Sequence, residues 1–420
     1  MNNTIKLAVA SALLAAASSA NAGIVIPAGD WTLDISGNVN AYYSYNSLEN
    51  SNSVNASSAG GALAAGQNAA GEDTQTTITT GLLPSFLSVS GKTRQNDLDV
   101  GFTISIQPGI ATSNSLSAGN QENRQSFLTF GDKSWGTIKA GRDLGIFAST
   151  AILSDMTLLG VGGGSTNVSG TTTLGGIGSG YIYADWKAQV SYASPNWNGF
   201  SFAAGVMQPW NTTTAGSTVA QAALGQIAGA NNQSTSTPGF EAQATYEWAG
   251  DVAGKVWLGT IYQKVEDLGV GTGVTNFGNE TANAWDIGAN VNVAGFGLTG
   301  YYYDGRGVGT TGFLANAFDA QGKRRDSNGG YVQATYTIPG VGTKLGLAYG
   351  ISTLDRTSLD RATNNNLVED NERWTVGAYH PLTKHLNLVA EYNRISSSSH
   401  AIGVKDADND NVSLGAILFF

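Results

Sequence analysis

The sequence predicts an all-β fold, a transmembrane antiparallel β-barrel of sixteen strands. Three observations carry that expectation. Hydropathy alternates with a period of two along almost the whole chain, connections between the alternating segments switch regularly between short and long, and beyond the first residues no apolar run approaches the length of a spanning helix. Closed barrels are the other structure that satisfies every backbone polar group inside a bilayer, and they do so with short alternating segments.

The first 22 residues are a separate unit. Lys6 follows a polar start, 7–17 is apolar, and Ala20-Asn21-Ala22 precedes Gly23, which is the layout of a secretory signal peptide with its small-x-small cleavage site. The expected organisation is therefore a cleaved signal at 1–22 and one barrel domain over 23–420.

From Trp31 to Tyr45 the odd positions carry Trp31, Leu33, Ile35, Val39, Ala41, Tyr43 and Tyr45, and the even ones Thr32, Asp34, Ser36, Asn38 and Asn40. This is a strand with one apolar and one polar face. The same alternation recurs at Leu98–Ile106, Phe240–Trp248, Trp285–Val293, Leu345–Ile351, Trp374–Ala378 and Val412–Phe420. Segments of this length exceed the five or six residues usual in globular sheets and suit tilted strands crossing a bilayer. Aromatic clusters at Tyr42/Tyr43/Tyr45, Tyr181/Tyr183/Trp186, Tyr301–Tyr303 and Phe419/Phe420 are expected to form interfacial girdles.

Short connections fall at 92–96, 131–134, 194–199, 250–254, 295–297, 339–342 and 381–384, and long ones at 46–77, 108–122, 148–180, 209–238, 267–280, 305–328, 355–368 and 396–409. Seven short and eight long connections separate sixteen strands. Sorting turns to one end and long loops to the other is the plan of bacterial outer-membrane barrels.

Composition excludes several function classes. There is no cysteine, and the three histidines, His380, His385 and His400, have no metal or nucleophile spacing, so no metal, cofactor or catalytic residue is expected. Charged residues make up 12% of the chain and the net charge is −10, which argues against a nucleic-acid partner. Gly307-Val308-Gly309-Thr310-Thr311-Gly312 fits a G-x-G-x-x-G pattern but lacks a surrounding βαβ unit. Asp406, Asp408 and Asp410 open like a calcium loop, yet Asn411 and Ile417 stand where Gly and Glu are required, which favours a solvated acidic loop over divalent-ion binding.

Asn123-Arg124-Gln125-Ser126-Phe127-Leu128 followed by Ser134-Trp135-Gly136-Thr137-Ile138-Lys139-Ala140-Gly141-Arg142-Asp143 is similar to the fourth and fifth strands of the general diffusion porins of Gram-negative outer membranes. The resemblance spans the mature chain. It implies a homotrimer of 16-stranded barrels passing ions and small hydrophilic solutes, with the third loop, here 148–180, folded inward to narrow the lumen. It also implies charged groups facing each other at that constriction. Arg124 and Arg142 match wall positions and Asp155 matches the first loop acid, while Leu158-Leu159-Gly160-Val161 lacks the second.

Phe86 and Asp185 stand where the resemblance expects further wall arginines. Parity makes Arg124 lumen-facing if Phe127 faces outward; around Arg142 it is ambiguous, because Lys139 and Gly141 compete for the inward face. The terminal strand, with Leu418 and Phe420 on its apolar face, resembles the signal read by the barrel-assembly machinery.

The function expected is a passive route selective by charge, cation-preferring because wall arginines are few, in an outer membrane whose lipid and lipopolysaccharide surround the barrel. A substrate-specific channel, a plugged surface-binding barrel and a soluble secreted β-domain are the alternatives.

Overall fold

A computed structural model of the chain describes residues 23–50, 61–64, 72–111, 120–166, 171–210, 236–268, 277–365 and 367–420. Residues 1–22, where the sequence leads one to expect a signal peptide, lie outside the described residues. The strands, in chain order, begin with β1 (Ile24–Ala28), β2 (Trp31–Glu49), β3 (Thr74–Thr79), β4 (Phe86–Gln95), β5 (Leu98–Pro108), β6 (Gln121–Asp132) and β7 (Gly136–Leu144). The third loop then holds a helical turn, α1 (Ser149–Ser154), and a small hairpin, β8 (Gly163–Thr166) with β9 (Thr173–Gly175). Next come β10 (Trp186–Ala193), β11 (Phe200–Met207), β12 (Gly239–Trp248), β13 (Val252–Leu268), β14 (Gly278–Val293), β15 (Phe296–Arg306) and β16 (Asp326–Thr337). The chain finishes with β17 (Lys344–Leu354), a short helix α2 (Ser358–Thr363), β18 (Val368–Pro381), β19 (Leu386–Ser399) and β20 (Ala407–Phe419).

Strand neighbours are antiparallel, and β20 returns to pair with β2, closing a 16-strand barrel. Two of the barrel positions are composite. The loop-side half of β2 pairs with β3 and its turn-side half with β4, while on the other edge β1 continues the line of β20. Gly37 sits at the junction, donating to Phe420 O at 2.8 Å and accepting from Phe420 N at 3.0 Å.

The alternation predicted from the sequence sorts side chains between lipid and lumen. In β2, Val39, Tyr43 and Tyr45 are exposed outward while Asn38, Asn40, Ser44 and Asn46 are buried inward. The inward asparagines bridge strands: Asn411 of β20 donates to Ser44 and to Asn46, and Asn409 donates to Asn46. The strand ends that flank the long connections, at 50–73, 109–120, 145–185, 208–238, 269–277, 307–325, 355–367 and 400–406, lie at one end of the barrel, and tight turns occupy the other.

The aromatic clusters do not act as whole girdles. Strand parity splits them: Tyr302 is exposed outward while Tyr301 and Tyr303 are buried inward, Tyr42 is buried and donates to Leu159 O, and Tyr181 and Tyr183 belong to the third loop. The turn-end girdle is built instead by exposed Trp135, Trp197, Phe200, Tyr246 and Phe296.

Candidate pore constriction

The third loop enters the lumen directly after β7. Its α1 turn is short and has no side-chain N-cap of its own. The barrel wall supplies the missing partners. Ile146 N–H donates to Glu241 of β12 at 2.7 Å and Ala148 N–H to Asp286 of β14 at 3.2 Å. At the other end, the carbonyls of Ala151 and Ser154 accept from Tyr331 and Gln333 of β16, at 2.8 and 2.6 Å. These are the backbone groups that a free helical turn leaves unsatisfied. The strands therefore position the loop by completing its hydrogen bonding.

Further along, Val161 and Gly162 N–H both donate to Glu391 Oε2 of β19, at 2.9 and 2.8 Å, and Tyr379 of β18 donates to the other oxygen at 2.6 Å. The bend between β3 and β4, residues 80–85, also folds inward. Leu82 and Leu83 N–H donate to Gly160 O and Leu158 O, and Thr173 N–H donates to Gly81 O, so this bend and the loop form one layer across the lumen.

Asp155 is the organising group of the loop. One carboxylate oxygen accepts from Thr157 N and Oγ1, the other from Gly176 N at 3.0 Å and Tyr181 Oη at 2.8 Å, and Arg373 of β18 approaches to 3.4 Å. Asp155 is 4% exposed and Arg373 2%, so the pair lies within the folded loop rather than across an open gap. Burial holds the Tyr181 hydroxyl well above its ordinary pKa, and the adjacent Asp155 carboxylate adds to the effect.

The other candidates from the sequence are placed as follows. Arg124 is buried, paired with Glu122 at 2.8 Å, 3.5 Å from Tyr183 Oη, and stacked 5.7 Å from the Trp186 ring. It grips the return arm of the loop. The parity condition set for it fails, because Phe127 is buried on the inner face, where Lys139 Nζ lies 5.4 Å from its ring. An irregularity in the β5–β6 register between Ser105 and Gln107 adds a residue on the β6 side and resets which side chains face inward beyond it.

Lys139 is inward and paired with Asp143 at 2.5 Å, which also accepts from Gln125. With Lys139 and Asp143 on the inner face, Arg142 falls on the outer one. It is exposed there and forms no ion pair among the described residues, so its assignment to the constriction is corrected. Replacing Arg142 with alanine is accordingly expected to leave the reversal potential in a salt gradient unchanged; a shift toward greater cation selectivity would put its charge back in the lumen.

Phe86 is buried on the inner face where β4 begins. Asp185 ends the loop in a left-handed conformation, φ 55°, accepting from Trp186 N at 2.6 Å. Burial raises its pKa, and the Trp186 N–H, Lys187 and Arg124 partly offset that. Burial likewise pushes the neighbouring Tyr183 up to about 12. Leu418 is exposed on the outer face of β20, and Phe420 makes the closing contacts with Gly37.

Asp408 and Asp410 belong to β20 rather than to a loop, where both pair with Arg394, at 3.0 and 3.1 Å. Among the described residues no group of three or more His, Cys, Asp or Glu side chains is arranged to hold a metal ion.

Five charged loop-holding groups escaped sequence reading: Glu241, Asp286, Glu391, Lys187 and Arg373. Lys187, 1% exposed, forms an ion pair with Glu241 and lies 5.4 Å from the rings of Trp210 and Phe313. Glu391 holds the loop from the wall: a Cβ on Gly160 would stand 1.9 Å from its carboxylate, so glycine there lets the loop close onto the wall acid. The available signal was a single charged residue on one face of a strand, as Glu391 is among Asn387, Val389, Asn393, Ile395 and Ser397.

A family model described as Gram-negative porin matches residues 8–400. No curated protein matches the chain in sequence. Among solved structures, the outer membrane channel DcaP of Acinetobacter baumannii aligns with a TM-score of 0.68 at 17% identity, covering 95% of this chain and all (100%) of that one. OmpF of Salmonella typhi, in complex with daunomycin, aligns at 0.57 and 13% identity, covering 93% and 100%. The trimer form of OmpT of Vibrio cholerae, an outer membrane protein, aligns at 0.52 and 15%, covering 93% and 99%. At these identities the structures speak for the fold, a closed barrel shared along nearly the whole chain. The family and the fold are those of channels rather than enzymes. With the family match running from residue 8 through almost every strand, the chain belongs to the Gram-negative porins and is an outer-membrane β-barrel channel.

Proposed function

We propose that the chain passes ions and small hydrophilic solutes by passive diffusion, with a preference for cations, as a homotrimer. The observation that carries the charge preference is the balance at the level of the third loop. Arg124, Lys139, Lys187 and Arg373 each have a carboxylate partner, whereas Asp185, Asp286 and Glu391 have no ion pair among the described residues, against one inward cation that also lacks one, Lys344, which lies 4.9 Å from the Tyr379 ring. Fixed charge of one sign at a narrow point raises the local concentration of the opposite ion. In a planar bilayer under a salt gradient, the refolded mature chain is expected to give a cation-signed reversal potential; a value near zero or of anion sign would overturn the preference.

The trimer form of the Vibrio cholerae neighbour supports the assembly, for which current steps arriving in threes are the expected signature. Residues 1–22 act in this reading as an export signal, the terminal strand with Leu418 and Phe420 is presented to the barrel-assembly machinery, and lipopolysaccharide surrounds the outer rim. Arg124, Lys139, Asp155, Asp185 and Phe86 then serve the constriction by shaping and seating the loop. A second reading, a substrate-specific channel, is favoured by the inward-folded segments at 61–64, 80–85, 145–166 and 171–185, which leave less room than one loop alone; saturable block of the ion current by a single solute would select it.

A further inference from the structure

The connection between β15 and β16, residues 307–325, folds back into the barrel. Its landing site is written into the wall. On the inner faces of β13 and β14, Ile261, Val265, Ala282 and Ala284 are buried, although the inner face of a water-lined barrel ordinarily carries polar groups. They share one apolar cluster with Val308, Phe313, Leu314, Ala317 and Phe318 of the connection. If the connection stood outward, both sets would meet channel water.

Directed contacts fix its position. Tyr183 N–H, on the return arm of the third loop, donates to Thr311 O at 2.8 Å, and Ser327 Oγ donates to Gly309 O at 2.8 Å. Arg325 makes a bidentate pair with Asp360 of α2, at 2.8 and 2.7 Å, and also donates to Asn316 O at 3.0 Å. Both partners of that pair are buried. Thr357 donates to Asp319 at 2.7 Å, tying the connection to the start of α2 a second time.

We infer that residues 307–325 form a second, outer constriction stacked on the third loop, held in register by Arg325 and Asp360, so that the size limit for solutes is set at two levels of the lumen. This rests on the reading of the chain as a diffusion channel. The two inward segments touch through Tyr183 and Thr311, so solute entering from the loop side meets the β15–β16 segment and the return arm as one surface.

The test compares the wild-type chain with two variants, one in which 309–323 is replaced by a short Gly-Ser turn and one carrying Arg325→Met, all refolded as trimers and checked for folding by heat-modifiable migration. Single-channel conductance and liposome swelling with sugars of increasing size are the readouts. The truncated chain is expected to conduct severalfold more and to admit larger sugars, with Arg325→Met moving both readouts the same way to a smaller extent. Folded variants with wild-type conductance and an unchanged sugar limit would overturn the second constriction while leaving the channel reading intact. Folded wild type and variants that all fail to conduct would overturn the channel reading itself.

Discussion

Gly37→Ala is expected to cut the yield of closed barrel sharply, although it adds a single methyl group. A Cβ at this position would stand 2.1 Å from the Phe86 carbonyl oxygen and 2.9 Å from the Phe420 ring. The first of these is backbone and cannot swing aside. Gly37 is also where β2 is held between β4 on one edge and the chain terminus on the other, through its pair with Leu87 and its two hydrogen bonds with Phe420. Any shift that relieves the carbonyl contact pulls β2 away from one of the two edges it must join. An open edge inside a bilayer leaves backbone groups unsatisfied at several kcal/mol each, on the order of the cost in apolar media. Gly300→Ala is the control, because a Cβ there meets nothing within 4 Å and its backbone is not left-handed. The measurement is the fraction of refolded chain that migrates as the compact form without heating. Equal yields for the two variants would show that closure tolerates the methyl group.

The barrel was legible because a strand with lipid on one face and lumen on the other has to alternate, and because turns and loops sort by end. The inner architecture was far less so. Parity propagates along a strand only until an irregularity, and the one between Ser105 and Gln107 is enough to separate Arg124 from the face that Phe127 would assign it. Arg142 shows the converse: a resemblance in sequence placed it on the wall of the pore, while the neighbouring Lys139 and Asp143 pair occupies that face and turns Arg142 outward. Ile261, Val265, Ala282 and Ala284 read as apolar strand residues whichever side they occupy, since only the folded loop reveals that the lumen side is covered. Sequence periodicity reports how a residue alternates with its neighbours. It carries no record of which distant loop comes to lie against it, and at the candidate constriction that is what decides each side chain's role.

Arg373→Met is expected to loosen the third loop more than any other single change on the wall. The substitution keeps most of the side chain's bulk and removes its charge, leaving the Asp155 carboxylate, 4% exposed, without its cation. Breaking a buried pair from one side costs about 3–5 kcal/mol, because the remaining charge is stranded. Thr157, Gly176 and Tyr181 still donate to Asp155, so the strain falls on the arms those residues join rather than on the barrel. The expected result is a noisier, larger single-channel current, a stronger cation preference from the uncompensated carboxylate, and protease cleavage within 145–185 of the folded barrel. Removing both charges separates the two causes: Asp155→Asn combined with Arg373→Met leaves no stranded group, so its current should return toward the wild-type level while the cation preference falls below that of the single variant. A single variant with wild-type current and an intact loop would mean that Glu391, Glu241 and the wall hydrogen bonds seat the loop without the pair, and that Arg373 serves the lumen only through its charge.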